Sequence, residues 1–279
     1  MRDLSQRSIR VNDAVMVRLV TTSAFLTALQ RARHIELAAY ALAPGAVEEA
    51  LIAAARRGAD AAVTLAGAPF APAGPAAANE RALLRLRAAG VRVGESGGAF
   101  HAKYARVDGV LYLDDRNWSE SGDTILRLSA QADLDALATT KSSALAAEAA
   151  LVAGARRGAQ VEIESESFGF GSRIYSVLRG LPARGVTVRL CVSRADLQPG
   201  SEESRALTRL AEAGVGVRIG ATCEKFALLG ARVWIGSANA TYAAPDARDW
   251  GLQTRAAAVR AQLQHRFEQT WSRAKSVIG

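Results

Sequence analysis

The chain has 279 residues, 49% hydrophobic and 22% charged, the balance of a globular protein with a core rather than a disordered one. No apolar run is long enough to span a bilayer, and residues 1–10 are polar and lack the apolar stretch of a secretory signal, so a cytoplasmic location is expected. A formal net charge of +8 and a pI near 10.1 favour anionic partners, either nucleic acid or acidic lipid headgroups.

The elements alternate. Residues 35–42 read as a buried strand, and 46–57 carry helical spacing that ends at Gly58, a residue suited to a helix C-terminus. A strand at 61–65 follows, then an Ala/Pro/Gly loop at 69–78 that faces solvent, a helix at 79–89 ending at Gly90, and a strand at 91–93. Residues 102–107 and 110–113 alternate as strands, and Asp108-Gly109 between them is a strong two-residue hairpin signal. The second half repeats the rhythm, with strands at 161–163, 186–192 and 215–219 and helices at 172–181 and 204–213. Gly230-Ala231 takes the second hairpin turn before a strand at 232–235. Near the end Val259, Leu263, Phe267 and Trp271 recur every four residues, the apolar face of a helix packed on its own domain. Strands alternating with helices predict an α/β fold with mainly parallel sheets covered on both faces.

The alternation reflects an internal repeat. Arg81-Ala-Leu-Leu-Arg-Leu-Arg-Ala-Ala-Gly-Val-Arg-Val93 matches Arg205-Ala-Leu-Thr-Arg-Leu-Ala-Glu-Ala-Gly-Val-Gly-Val217, and Leu19-Val-Thr-Thr22 resembles Leu137-Ala-Thr-Thr140. Two halves are expected, 14–128 and 129–279.

The repeat carries the chemistry. His101-Ala-Lys103-Tyr-Ala-Arg-Val-Asp108 is followed by Asn117, and 122 residues further on Cys223-Glu-Lys225-Phe-Ala-Leu-Leu-Gly230 is followed by Gly236-Ser237-Ala-Asn239. On a strand, side chains two apart share a face, so His101 and Lys103 point the same way, and the returning strand delivers Asn117 to their end. Lys225 and Asn239 are delivered alike in the second half. A histidine with cations and amides supplied twice suits a phosphodiester, which needs a nucleophile and donors for its oxygens. Two of the four lysines of the chain fall at these equivalent positions.

The pattern H-x-K-x-x-x-x-D with a downstream G-S-x-N resembles the signature of the phospholipase D superfamily, and the likeness spans both motif copies and the α/β repeat. It implies two repeats related by a pseudo-twofold axis and a phosphodiesterase that needs no metal or other cofactor. One histidine attacks phosphorus to give phosphohistidine, and another protonates the leaving oxygen. Carried over, His101 is the nucleophile, Lys103 and Lys225 neutralise the phosphoryl oxygens, Asn117 and Asn239 donate to them, and Ser237 supports the site. Asp108 reads better as a hairpin aspartate. The expected substrate is nucleic acid, with phospholipid as the runner-up; the chain is expected as a monomer with pseudo-dimeric halves or as a homodimer that pairs its intact halves.

Three departures stand out. Cys223 replaces the partner histidine, serving as a poor proton donor or even a nucleophile, or marking a lost catalytic group; the last leaves a phosphate- or nucleic-acid-binding module as the competing reading. Gly230 replaces the second aspartate. Asp114-Asp115-Arg116 precedes Asn117, two carboxylates that either orient His101 or repel phosphate. Asp123 and Asp249 match loosely the position of a family acid that orients a histidine. Phe168-Gly-Phe-Gly-Ser172 reads as a plain loop, Cys191 as core, and His34 and His265 as structural or surface residues. No cysteine shows metal-ligand spacing, and two cysteines make no disulfide framework.

Overall fold

The computed structural model describes residues 17–67, 69, 74–118, 124–129, 140–193, 197–222, 224–244 and 246–277. They fall into two compact units. The first holds the described residues up to Thr140 together with Asp246–Trp250, and the second holds those from Lys141 to residue 244 and from Gly251 onward.

The first unit contains β1 (Val17–Val20), α1 (Thr22–Arg31), β2 (His34–Ala39), α2 (Ala46–Arg56), β3 (Asp60–Ala66), α3 (Gly74–Ala88), β4 (Arg92–Ser96), β5 (Tyr104–Val107), β6 (Val110–Asp114) and β7 (Ile125–Leu128). The second contains α4 (Lys141–Ala153), β8 (Gln160–Ser165), α5 (Arg173–Gly180), β9 (Thr187–Ser193), α6 (Glu202–Glu212), β10 (Gly216–Gly220), β11 (Phe226–Leu229), β12 (Arg232–Gly236), β13 (Gly251–Thr254), α7 (Ala257–Arg273) and β14 (Lys275–Ser276). Each unit has one seven-stranded sheet, in the orders β1-β7-β6-β5-β2-β3-β4 and β13-β12-β11-β8-β9-β10-β14. Six contiguous strands therefore repeat, and the seventh is added at opposite edges, β1 beside β7 and β14 beside β10.

The sheets are mixed, which corrects the expectation of mainly parallel pairing. Only β2-β3-β4 and β8-β9-β10 run parallel, because helices carry the chain across between them. The other neighbours are antiparallel, since tight turns join β5 to β6 and β11 to β12. Asp108 and Gly109 take φ of 46° and 80°, the doubly left-handed turn that matches strand twist. Gly230, at φ 56°, begins the corresponding turn.

Helix α3 starts at Gly74, inside the stretch expected to be a loop. Pro75 lies in its first turn, where its missing N–H costs no helical bond, and Ala76, Ala77 and Ala78 are strong helix formers. Thr21, Ser172 and Ser201 cap α1, α5 and α6 by accepting from the backbone N–H of Ala24, Ile174 and Ser204. In α7 the expected stripe is in place: Val259, Leu263 and Phe267 are fully buried, while Trp271 stacks on Phe267 beneath the guanidinium groups of Arg189 and Arg218. Each unit has its own apolar core, with Ile35, Leu51, Val63 and Leu86 central to the first and Ile163, Leu178, Leu190 and Leu207 to the second. Cys191 is buried beside that second core, and burial pushes its thiol up to about 12.

One core position breaks the apolar pattern. Glu148 lies on the buried face of α4 with Ala144, Leu145 and Leu151, and its Oε2 has no hydrogen-bond partner among the described residues. Burial pushes its carboxyl from 4.5 up to about 8. Between those values the folded chain keeps a proton that the unfolded chain has lost, so this group costs stability as pH rises. We expect Glu148→Met to melt above the wild type at pH 8 and to lose that advantage as the pH falls toward 4.5. Parallel melting curves across the range, read by circular dichroism, would contradict this.

Candidate functional site

In the first unit His101 and Lys103 lead into β5, and the residues that surround them come from four other segments. The imidazole Nδ1 lies 2.7 Å from Asp249 Oδ1, and Lys103 Nζ lies 2.9 Å from Nε2. The Tyr40 ring packs 5.2 Å from the imidazole and 5.8 Å from the ammonium. Lys103 and Asp249 are each 1% exposed, whereas the His101 side chain keeps 13% of its surface open. An ammonium can only donate, so Nε2 accepts from Lys103 and the ring proton sits on Nδ1, facing Asp249. The nitrogen that carries the lone pair is thus the one beside the cation. Low dielectric around these buried groups strengthens both contacts.

Asp249 reaches His101 through a five-residue segment, 246–250, held by an isolated β-bridge at Arg248. Phe100 and Arg248 form a parallel bridge; the His101 N–H donates to the Arg248 carbonyl at 2.8 Å, and the Arg248 N–H to the Ala99 carbonyl at 2.8 Å. The indole N–H of Trp250, which is 1% exposed, donates to the Asp114 carbonyl at 2.9 Å. The segment therefore fixes both the backbone and the ring of His101. Tyr40 is fixed in turn by Asn79 of α3, whose amide donates to the carbonyls of Tyr40 (2.9 Å) and Ala66 (3.2 Å) and accepts from the Leu42 N–H.

Asp114 and Asp115 do other work. Asp114 Oδ2 accepts from the backbone N–H of Arg116 and Trp118, and Asp115 Oδ1 accepts from that of Thr124. Both are fully buried and shape the loop that carries Asn117. Trp118 holds a left-handed φ of 56°, uncommon for a bulky residue. It is kept there by the Asp114 bond and by its indole, which stacks 4.6 Å from Phe25 and donates to the Ala38 carbonyl. Asn117 Oδ1 accepts from the Ala41 N–H at 3.2 Å, which leaves its NH2 as the donating group. Asp108 is a turn residue: its Oδ1 accepts from the N–H of Arg33 and His34, tying the hairpin to the start of β2.

The second unit retains the frame and changes the contacts. Lys225, 2% exposed, pairs with Glu166 Oε2 at 2.8 Å. Strand register makes Glu166 the counterpart of Tyr40: Val161 stands opposite Leu229 as Ile35 stands opposite Val107, and Glu166 and Tyr40 lie five residues further on. The lysine thus meets a carboxylate where its counterpart meets an aromatic ring and an imidazole. Ser237 is fully buried, and the buried Oδ1 of Asn239 has no hydrogen-bond partner among the described residues. Cys223 and Asp123 lie outside the described residues. The loop 168–172 is tied down by Gly169 donating to the Ala240 carbonyl and ends in the Ser172 cap, so it reads as a connector. Among the described residues no three His, Cys, Asp or Glu side chains gather as a metal-ligand set.

Sequence reasoning flagged Asp249 only loosely and missed Tyr40, Asn79 and Glu166. Asn79 carried a detectable signal, a polar residue on the apolar face of a helix. The ring assignment has a direct check. Long-range 1H–15N spectra of the resting protein should show Nδ1 of His101 as the protonated nitrogen and Nε2 as the bare one. Asp249→Ala should erase that preference, and a resting spectrum with the proton on Nε2 would refute it.

No protein-family model matches the sequence, and no curated protein is similar to it in sequence. Solved structures do match. Phosphatidylserine synthase from Haemophilus influenzae aligns with a TM-score of 0.66 at 10% identity, over 93% of this chain and 87% of that one. Polyphosphate kinase from Porphyromonas gingivalis aligns with a TM-score of 0.60 at 17% identity, over 91% of this chain and 50% of that one, so this chain spans half its length. Yeast tyrosyl-DNA phosphodiesterase aligns with a TM-score of 0.53 at 9% identity, over 86% and 87%. All three are members of the phospholipase D superfamily, and this chain has the two-repeat α/β fold of that superfamily.

Proposed function

We propose that this chain, with its phospholipase D fold, cleaves phosphodiesters through a covalent intermediate on His101, and that its substrates are nucleic acids. The observation that carries the proposal is the line Asp249–His101–Lys103: a buried carboxylate on one ring nitrogen and a buried ammonium at the other. Nε2 attacks phosphorus, forming an N–P bond as the P–O bond to the leaving group breaks. Positive charge grows on the imidazole, and Asp249, already bonded to Nδ1–H, stabilises it. Lys103 moves its hydrogen bond from Nε2 to a non-bridging oxygen, and the Asn117 NH2 donates to another. Water then attacks phosphorus and the N–P bond breaks; the proton that water gives up replaces the one the leaving oxygen takes, through solvent, and the ring returns with its Nδ1 proton.

The leaving oxygen needs a proton, and the position of a second histidine is taken by Cys223. Turnover should therefore depend strongly on how stable the leaving group is without one; a missing general acid costs about 10²–10⁴ in rate. The net charge of +8 supports nucleic acid as the substrate. Superfamily members with this fold include both a tyrosyl-DNA phosphodiesterase and a phosphatidylserine synthase, so the fold leaves phospholipid as the runner-up. No described helix is long and apolar enough to cross a membrane.

One observation favours a second reading, a phosphate-binding module without turnover. The Lys225–Glu166 pair already balances a cation that would otherwise hold substrate.

With bis(p-nitrophenyl) phosphate in EDTA, the wild type is expected to release nitrophenolate, His101→Ala to release none, and Asp249→Ala to lose ~10²-fold or more. Rapid quench followed by intact mass should find phosphate on His101. Release that persists in His101→Ala sinks the nucleophile assignment; no release from the wild type, with salt-sensitive DNA or RNA binding, establishes the module. Incubation with DNA, RNA and anionic liposomes separates the substrate classes.

A further inference from the structure

The second unit has a feature that the proposed chemistry does not use. At the turn end of the β11–β12 hairpin lies an open cleft of about 780 Å³, whose lining includes Arg156, Arg232, Arg255 and Arg260. Lys225 stands at the other end of that hairpin, five residues before Gly230 and so roughly 17 Å away at strand spacing.

The charges are uneven. Arg260 is engaged: its Nε donates to the Gly230 carbonyl at 2.9 Å and one terminal NH2 to Gln264. Glu162, the carboxylate at the cleft, is already matched by Arg189 at 2.9 Å and by the Gln160 amide. Arg156, Arg232 and Arg255 have no ion pair and no side-chain hydrogen bond among the described residues. Three guanidinium groups from three separate segments thus border one concavity with no anion assigned to them. Like charges gathered this way repel, and among the described residues the one carboxylate in the lining, Glu162, lies within ion-pair distance of Arg260 alone of the four arginines there.

Helix α7 adds to the field. Its N-cap is Ala256, which makes no side-chain cap, and the residues on either side, Arg255 and Arg260, line the cleft. A 17-residue helix presents unpaired N–H groups and partial positive charge at that end.

The hairpin itself does not call for this charge: by strand register the first repeat has Val110 at the position of Arg232. The smaller cleft near its turn, about 220 Å³, is bordered by other strands, and there Arg92 pairs with Asp60 at 2.9 Å.

We infer that this cleft is a second anion site, built for a compact, multiply charged phosphate group such as an organic triphosphate or a short inorganic polyphosphate. Convergence of the arginines on a concavity favours a compact ligand over an extended backbone, which a line of cations would track. Planar guanidinium groups suit bidentate contact with phosphate oxygens, and Leu229 and Ala231 offer an apolar wall for an organic portion.

The test uses binding rather than turnover, so its outcome is independent of the His101 proposal. Isothermal titration of the full chain at low salt would use inorganic tripolyphosphate, ATP and a short single-stranded oligonucleotide. Tripolyphosphate is expected to bind His101→Ala as it binds the wild type and to bind the double variant Arg232→Gln/Arg255→Gln at least ~10-fold more weakly, since each charge-assisted bond lost is a sizeable fraction of such an affinity. Tighter binding of ATP than tripolyphosphate identifies an organic ligand, and the reverse an inorganic one; both support the site. Matching melting curves and unchanged hydrolysis of bis(p-nitrophenyl) phosphate show that the double variant is folded; if it is not, Arg255→Glu provides the same comparison. Absence of tripolyphosphate binding, equal binding in the variants, loss in His101→Ala alone, or binding of the oligonucleotide alone overturns the inference.

Discussion

The bond between Asp249 and His101 is the constraint on which the site depends. The two residues are 148 positions apart, and the carboxylate arrives on a five-residue segment whose backbone pairs with residues 99–101. An imidazole can rotate about its own bonds, and nothing on β5 prevents this. A buried acceptor at one nitrogen selects the tautomer and, together with the Lys103 ammonium at the other, aims the lone pair. Trp250, buried beside Asp249 and bonded to the Asp114 carbonyl, anchors the end of the segment. The loop that presents Asn117 hangs from Asp114, so one short stretch of chain is tied both to the His101 imidazole and to the residue that holds this loop.

The two repeats separate what the fold requires from what chemistry requires. Strand order, hairpin turns and buried lysines persist in both units. The partners of the lysines do not persist: at equivalent register one stands under Tyr40 beside an imidazole, the other is paired to Glu166. A mixed sheet tolerates such exchange because these residues sit just beyond the strand end, where side chains add little to the core. Conserved architecture alone therefore says little about activity.

What the sequence made legible follows from the range of the forces involved. The Asp108-Gly109 turn, the helix-ending Gly58 and Gly90 and the α7 stripe are local and were readable from neighbouring residues. The parallel centre of each sheet was also visible, because helices fill the gaps between its strands, but the antiparallel flanks were under-weighted although the hairpins themselves were recognised. The start of α3 was hidden by Gly74 and Pro75, which signal a loop until one notes that a first helical turn accepts both. The roles of Asp114 and Asp115 could not be read, since the N–H groups of Arg116, Trp118 and Thr124 come within their reach only once the chain has folded. Asp249 was harder still, because its contact depends on the chain doubling back after the second motif.

That doubling back ties the assembly of the site to the direction of synthesis. Most of the first repeat can emerge and begin to pack while residues 246–250 are still to be made. Until they are, the ring of His101 lacks its carboxylate and the Asp114 carbonyl lacks the Trp250 indole. The order of the gene thus acts as a timer: alignment of the imidazole waits until residues 246–250 have been made, and a product terminated before them has the lysine and the hairpin without the part that brings them into register.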